Sequence, residues 1–134
     1  MATLRDERFP IRSSDDIVKI RQITRELALM QGFSLVDQTK IVTASSELAR
    51  NTLEHGGGGE ARLEALQEGN RRGVRLTFVD QGPGIADLEI ALRDGFTTGN
   101  GMGLGLSGSR RLVNDFEIHS EVGKGTRVMI ARWK

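Results

Sequence analysis

The chain is expected to be an α+β protein, a two-layer sandwich in which a mixed, mostly antiparallel sheet carries helices on one face. Two observations predict this. Residues 13–55 hold two successive runs of apolar side chains at helical spacing, and residues 61–80 and 116–133 alternate in strand fashion around glycine-containing turns. Helices followed by hairpins, without βαβ alternation, favour an antiparallel sheet covered on one side. No repeat or linker interrupts the 134 residues, which are read as one domain, 1–134.

Taken in order, residues 4–12 form a first strand, made short or placed at a sheet edge by Pro10. Ser13 and Ser14 offer N-caps, and Asp15 and Asp16 favour the first turn of a helix. Ile17, Ile20, Ile23, Leu27 and Met30 mark its apolar face, and Gly32 stops it. Ser34 with Asp37 opens a second helix like a capping box. Ile41, Ala44 and Leu48 line that helix, and glycines 56–59 end it. Residues 61–67 and 74–80 then form a hairpin around GNRRG. After the loop DQGPGI, ADLEIALRDG reads as a short helix and LSGSRRLVNDF as a helix of about three turns. The end is two strands around Gly123-Lys124-Gly125.

Composition narrows the chemistry. A formal charge of +1 supplies no basic face for nucleic acid. The absence of cysteine removes disulfides, thiolate catalysis and zinc-thiolate sites together. With only His55 and His119, far apart, an all-protein metal site is not expected. The opening residues lack an apolar h-region, and no run approaches the roughly 18 apolar residues of a membrane span. The expectation is a cytoplasmic protein with neither membrane nor nucleic acid as a partner.

The stretch GNGMGLGLSG (99–108) contains a formal GxGxxG at Gly103, Gly105 and Gly108. A Rossmann turn needs a strand directly before the first glycine, and here the preceding residues are LRDGFTTGN. A Walker A loop fails as well, because Gly123-Lys124 is followed by Gly125 instead of Ser or Thr. The HRD and DFG kinase signatures are absent. Two readings remain for the stretch: a mobile linker, or a loop whose N–H groups cradle phosphates ahead of a helix N-terminus.

Other residues bear on that choice. Glu47 and Asn51, four apart, share one side of the second helix, with His55 one turn further. A carboxylate beside a carboxamide can orient a hydroxyl and lend an oxygen to Mg²⁺, and it can also be a plain polar helix edge. Asp80 ends an alternating strand, ahead of Gly82, Gly84 and Ile85. A carboxylate there can accept a hydrogen bond from an exocyclic amine such as adenine carries, or it can close an ordinary turn. Thr126 opens the last strand, where its hydroxyl could support Asp80 through water.

Glu47-x-x-x-Asn51, Asp80-x-Gly82-x-Gly84, Gly101-x-Gly103-x-Gly105 and Gly125-Thr126 stand in the order of the four nucleotide-binding boxes of the GHKL ATPases. The chain resembles that family over about residues 40–134 through motifs, and over its whole length through element order. Within the family it looks like the bacterial anti-sigma and serine-kinase branch. ELARNTLEHGGGG, the 97–126 segment and the terminal RWK are similar to the RsbT-type stressosome switch kinases.

The resemblance implies the Bergerat ATP-binding fold, with ATP and Mg²⁺ as cofactors. It implies Glu47 as the catalytic base or orienter of a protein hydroxyl, Asn51 as the Mg²⁺ ligand, and Asp80 as reader of the adenine amine. Gly82, Gly84 and Ile85 would line the base pocket, with Thr126 behind them. Thr97, Thr98, Gly99, Gly101, Met102, Gly103, Leu104 and Gly105 would form the lid over the phosphates. His55 matches a position often occupied by histidine in the branch; it touches the site or caps its helix. The implied activity is protein serine/threonine phosphorylation. RsbS- and RsbR-like STAS-domain proteins would be the acceptors and an RsbU-like phosphatase the downstream partner. The alternative within the branch is an RsbW- or SpoIIAB-like anti-sigma factor that binds a sigma factor directly.

Overall fold

The computed structural model describes residues 1–93 and 105–134. Among the described residues, five strands and four helices follow one another. They are β1 (Ala2–Ile11), α1 (Ser14–Met30), α2 (Leu35–Glu54), β2 (Gly59–Glu68), β3 (Arg71–Asp80), α3 (Leu88–Ala91), α4 (Leu106–Arg111), β4 (Asp115–Glu121) and β5 (Gly125–Trp133). The strands form one sheet in the order β1-β2-β3-β5-β4. Every described ladder is antiparallel, so the expected mixed sheet is corrected to a purely antiparallel one. Each strand neighbours its partner through a hairpin or a return over the helices, and no pair needs a parallel crossover.

Local chemistry accounts for most of the element boundaries. The Asp16 carboxylate accepts the N–H groups of Arg12 and Ser13 at 2.8 and 3.2 Å, tying down the start of α1. Gly32 ends that helix at φ 79°, and the Phe33 N–H reaches back to the Ala28 carbonyl at 3.0 Å. Ser34 caps α2 by accepting the Asp37 N–H at 3.2 Å. β1 begins two residues earlier than the sequence indicated, and Pro10 lies in it opposite Glu60 on an edge strand, where proline is tolerated.

The last helix is the other correction. α4 holds six residues instead of about three turns. Asn114 is captured by the sheet: its N–H donates to Ala131 at 2.9 Å and its side-chain oxygen accepts the Trp133 N–H at 2.8 Å. β4 pairing begins at the next residue, which leaves no length for further helical turns.

One face of the sheet is dry. Ala61, Leu63 and Ala65 of β2, Leu76 and Phe78 of β3, and Ile130 of β5 pack under Ile20, Leu27, Ile41 and Leu48 of α1 and α2. Gln31 at the end of α1 is buried, and its amide donates to the Leu66 and Gly73 carbonyls at 2.7 and 2.8 Å. The opposite face carries charge: Arg75 grips buried Glu64 with two bonds of 3.0 and 3.1 Å, and Arg62 grips Asp6 at 3.0 and 2.7 Å. Among the described residues no helix is long and apolar enough to cross a membrane.

Candidate active site

α2 places Thr43, Glu47, Asn51 and His55 at intervals of four, so they form one stripe along the helix. Its C-terminal half faces the end of β3. There Leu48, Asn51, Thr52 and His55 meet Phe78, Asp80, Ile85, Leu106, Thr126 and Val128 around a small cavity. Its lining is five apolar side chains, the Asp80 carboxylate and the polar Asn51, Thr52, His55 and Thr126, a mix suited to a flat heterocycle that presents a donor to Asp80. The cavity holds about 20 Å³, roughly the room of one water, so a purine enters only if the walls separate.

Asp80 is 7 % exposed. One carboxylate oxygen, Oδ1, accepts the Gly82 N–H at 2.9 Å and turns the chain out of β3. The other side of the group lies against Gly56, where any Cβ would collide with the Asp80 side chain. A Cβ on Gly82 would in turn meet the Gly56 backbone at 2.7 Å. Glycine is therefore required at both places by close approach, and the pair fixes the carboxylate. Gly84 packs its Cα against the Glu121 carbonyl, and its own carbonyl lies 3.4 Å from His55 Nε2. His55 is the C-cap residue of α2, its backbone N–H bonded to the Asn51 carbonyl, and its ring reaches the loop that follows Asp80.

Thr126 lies directly across the ladder from Asp80, as its position ahead of the last strand suggested. Its hydroxyl, however, is 2.8 Å from Ser120 Oγ. Ser120 also accepts the Ile85 N–H at 2.8 Å and donates to the Gly125 carbonyl at 3.1 Å. Sequence reading missed this residue. The available signal was a hydroxyl in step with Phe116 and Ile118, the inward positions of β4.

Glu47 stands one turn before Asn51, outside the small cavity. Arg50 donates to its Oε1 at 2.7 Å. Its Oε2 borders Gly105, the N-cap of α4, where a Cβ would sit 2.6 Å away. Gly105 also has φ 63°, so two separate constraints select glycine. The remaining expected lid residues, Thr97, Thr98, Gly99, Gly101, Met102, Gly103 and Leu104, lie outside the described residues. The structure thus brings Asn51, His55, Asp80, Ile85 and Thr126 to one cavity, and Glu47 with Gly105 to its edge.

Residues 36–134 match the family model described as histidine kinase-, DNA gyrase B-, and HSP90-like ATPase. The chain is 42% identical to serine/threonine-protein kinase RsbT of Bacillus subtilis, covering 88% of this chain and 89% of that protein. It is 31% identical to the anti-sigma F factor of a Thermoanaerobacter species, over 69% of this chain and 68% of that protein. Among solved structures it resembles the RsbU and RsbW domains of a Mycobacterium tuberculosis protein, with TM-score 0.66 and 21% identity, covering 97% of this chain and 33% of that one. The catalytic domain of histidine kinase ThkA matches with TM-score 0.56 and 17% identity, over 96% and 95% of the two chains. At those identities the structural matches speak to the fold alone.

Proposed function

Because the chain belongs to the histidine kinase-, DNA gyrase B- and HSP90-like ATPase family, we propose that it is an ATP-dependent serine/threonine-protein kinase of the RsbT type, acting as one domain on STAS-domain proteins. One observation carries the reading. A single stripe of α2 lines the small, largely apolar cavity at Asp80 with Asn51 and His55, and presents Glu47 just outside it. A base pocket and an acceptor-side carboxylate one turn apart suit transfer from a bound nucleotide to an external hydroxyl.

In this reading the Asp80 carboxylate accepts the exocyclic amine of adenine, and Phe78, Ile85, Leu106 and Val128 enclose the ring. ATP, when bound, supplies the transferable phosphoryl group, and Asn51 offers its side-chain oxygen to the accompanying Mg²⁺. Glu47 orients a Ser or Thr hydroxyl and takes its proton as the new O–P bond forms and the bond to ADP breaks. Arg50 holds the carboxylate in place through its 2.7 Å bond to Oε1. Downstream, an RsbU-like phosphatase is the regulatory partner.

The test is incubation with Mg²⁺-ATP and a purified RsbS- or RsbR-like STAS-domain protein, followed by phosphosite mapping. Phosphate on Ser or Thr is expected, and it should disappear with Glu47→Ala while ATP binding survives. Phosphotransfer retained by that variant would remove Glu47 from the mechanism. The relatives named anti-sigma F factor support a second reading, direct sigma-factor binding. A native-host pull-down with and without ATP separates the two by whether a STAS-domain protein or a sigma factor is retained.

A further inference from the structure

The end of the molecule opposite Asp80 carries a second surface. Among the described residues nine large apolar side chains are exposed, and six of them gather at this end. Leu29 and Met30 close α1, and Leu35 and Val36 open α2 across the short connection, with Leu35 76 % and Val36 62 % exposed. Met1 and Leu4 lie at the start of β1, which a 4.0 Å contact between Arg5 and Glu26 brings against the last turns of α1. Leu4 stands where the register with β2 shifts, between Thr3 and Arg5. The Gln31 amide, bonded to the Leu66 and Gly73 carbonyls, fastens the helix connection to the β2–β3 hairpin, the end of that ladder farthest from Asp80. About 24 Å of α2 separates Leu35 from Asn51.

Folding does not account for these side chains. α2 is capped by the Ser34 hydroxyl and the Asp37 N–H, which asks nothing of positions 35 and 36, and valine is an indifferent helix former. A cluster of apolar side chains kept in water marks an interaction site. Its rim is basic. Lys134 and Arg72 sit beside the helix connection: the Lys134 N–H donates to the Arg72 carbonyl at 2.8 Å, and its ammonium lies 3.1 Å from where a Gly32 Cβ would stand. Arg25, one turn before Leu29, and Arg71 in the hairpin are exposed as well. Against these four cations stand Glu68, Glu26, which faces Arg5, and Asp37, whose carboxylate is taken by Arg132 at 2.6 Å.

We propose that this end docks an amphipathic helix of a partner protein, one whose apolar stripe is bordered by glutamate or aspartate. The ends of α1 and α2 present two adjacent helices, and a third helix packs on such a pair by seating its side chains between theirs. The basic rim selects the charge of the newcomer. It also disfavours a second copy of this same end, which would bring like charges together. Glu26, Glu68 and Asp37 interrupt the basic field, a mixed pattern that suits a protein partner better than a sheet of anionic lipid. The surface takes no part in nucleotide chemistry, so it adds a binding function to the kinase reading without resting on it.

The test titrates the full chain against two fluorescent helical peptides of about five turns with the same leucine stripe, one flanked by glutamate and the other by lysine. The glutamate peptide is expected to bind saturably, and the lysine peptide about tenfold or more weakly. Leu35→Ser combined with Val36→Ser, both at the surface, should weaken the glutamate peptide about tenfold or more, with thermal midpoint and ATP affinity unchanged. Arg72→Glu should narrow the preference between the two peptides. No binding of the glutamate peptide, equal binding of both, or indifference to the double substitution would overturn the proposal. So would flotation with phosphatidylglycerol vesicles, or a dimer in sedimentation, that the double substitution abolishes, since the surface would then belong to lipid or to a second copy.

Discussion

The hydroxyl of Ser120 accepts the backbone N–H of Ile85 at 2.8 Å, joining the edge strand β4 to the loop that closes the Asp80 cavity. The one proton of Ser120 goes to the Gly125 carbonyl, which makes Thr126 the donor in their 2.8 Å contact. Three parts of the site therefore hang on a residue that does not itself line the small cavity. Ser120→Ala is expected to leave the Ile85 N–H unpaired and to weaken ATP binding about fivefold, near 1 kcal/mol. Calorimetry on the variant decides, and unchanged affinity would mean that the loop is held by other contacts.

Asp80→Asn keeps the size of the side chain and can keep the bond from Gly82, so its fold should survive. Its amide turns a donor toward the adenine amine, and ATP affinity should fall by more than about tenfold. Gly56→Ala reaches the same carboxylate by another route, since the added methyl collides with it. That variant should lose both thermal stability and nucleotide affinity, whereas a loss of affinity alone would contradict the packing described.

Gly105 and Glu47 offer a test of steric coupling. Gly105→Ala should destabilise by about 1–2 kcal/mol, through its left-handed backbone and the neighbouring carboxylate together. In a Glu47→Ala background the carboxylate part vanishes, so the second substitution should cost less. Equal costs in both backgrounds, from denaturant melts, would show that φ alone selects the glycine.

Asp37 and Arg132, 95 residues apart, meet at 2.6 Å, and Arg132 also donates to the Leu112 carbonyl at 2.9 Å. The hydrogen bond from Arg132 holds the Asp37 carboxyl below its ordinary 3.8. A carboxyl depressed on folding stabilises the protein above its unfolded value and loses that contribution as pH falls through the folded one. The pair should therefore steepen acid unfolding below about pH 4. Asp37→Asn should flatten that part of the melting profile while lowering stability at neutral pH, and an unchanged acid limb would show that the pair contributes nothing.

Much of the site was legible because its signals are local. Asp80 at a strand end before two glycines, Glu47 and Asn51 one turn apart, and the caps at Ser34 and Gly32 each depend on neighbours within a few residues. The three-turn reading of residues 106–116 failed for the complementary reason. Asn114 is taken by β5, and a backbone bond to a strand 17 positions later is invisible in a local pattern.

The sequence by itself determined the order of elements, the edge position of β1, and the singling out of Glu47, Asn51 and Asp80 as candidate site residues. Periodicity, caps and turn residues are short-range properties, and they suffice for that. Only the tertiary structure decided that Gly56 packs on Asp80, that Ser120 links Ile85 to Thr126, and that Glu47 abuts Gly105. Those contacts depend on sheet register and helix packing, which set distances between residues far apart in the chain and cannot be read from either partner alone.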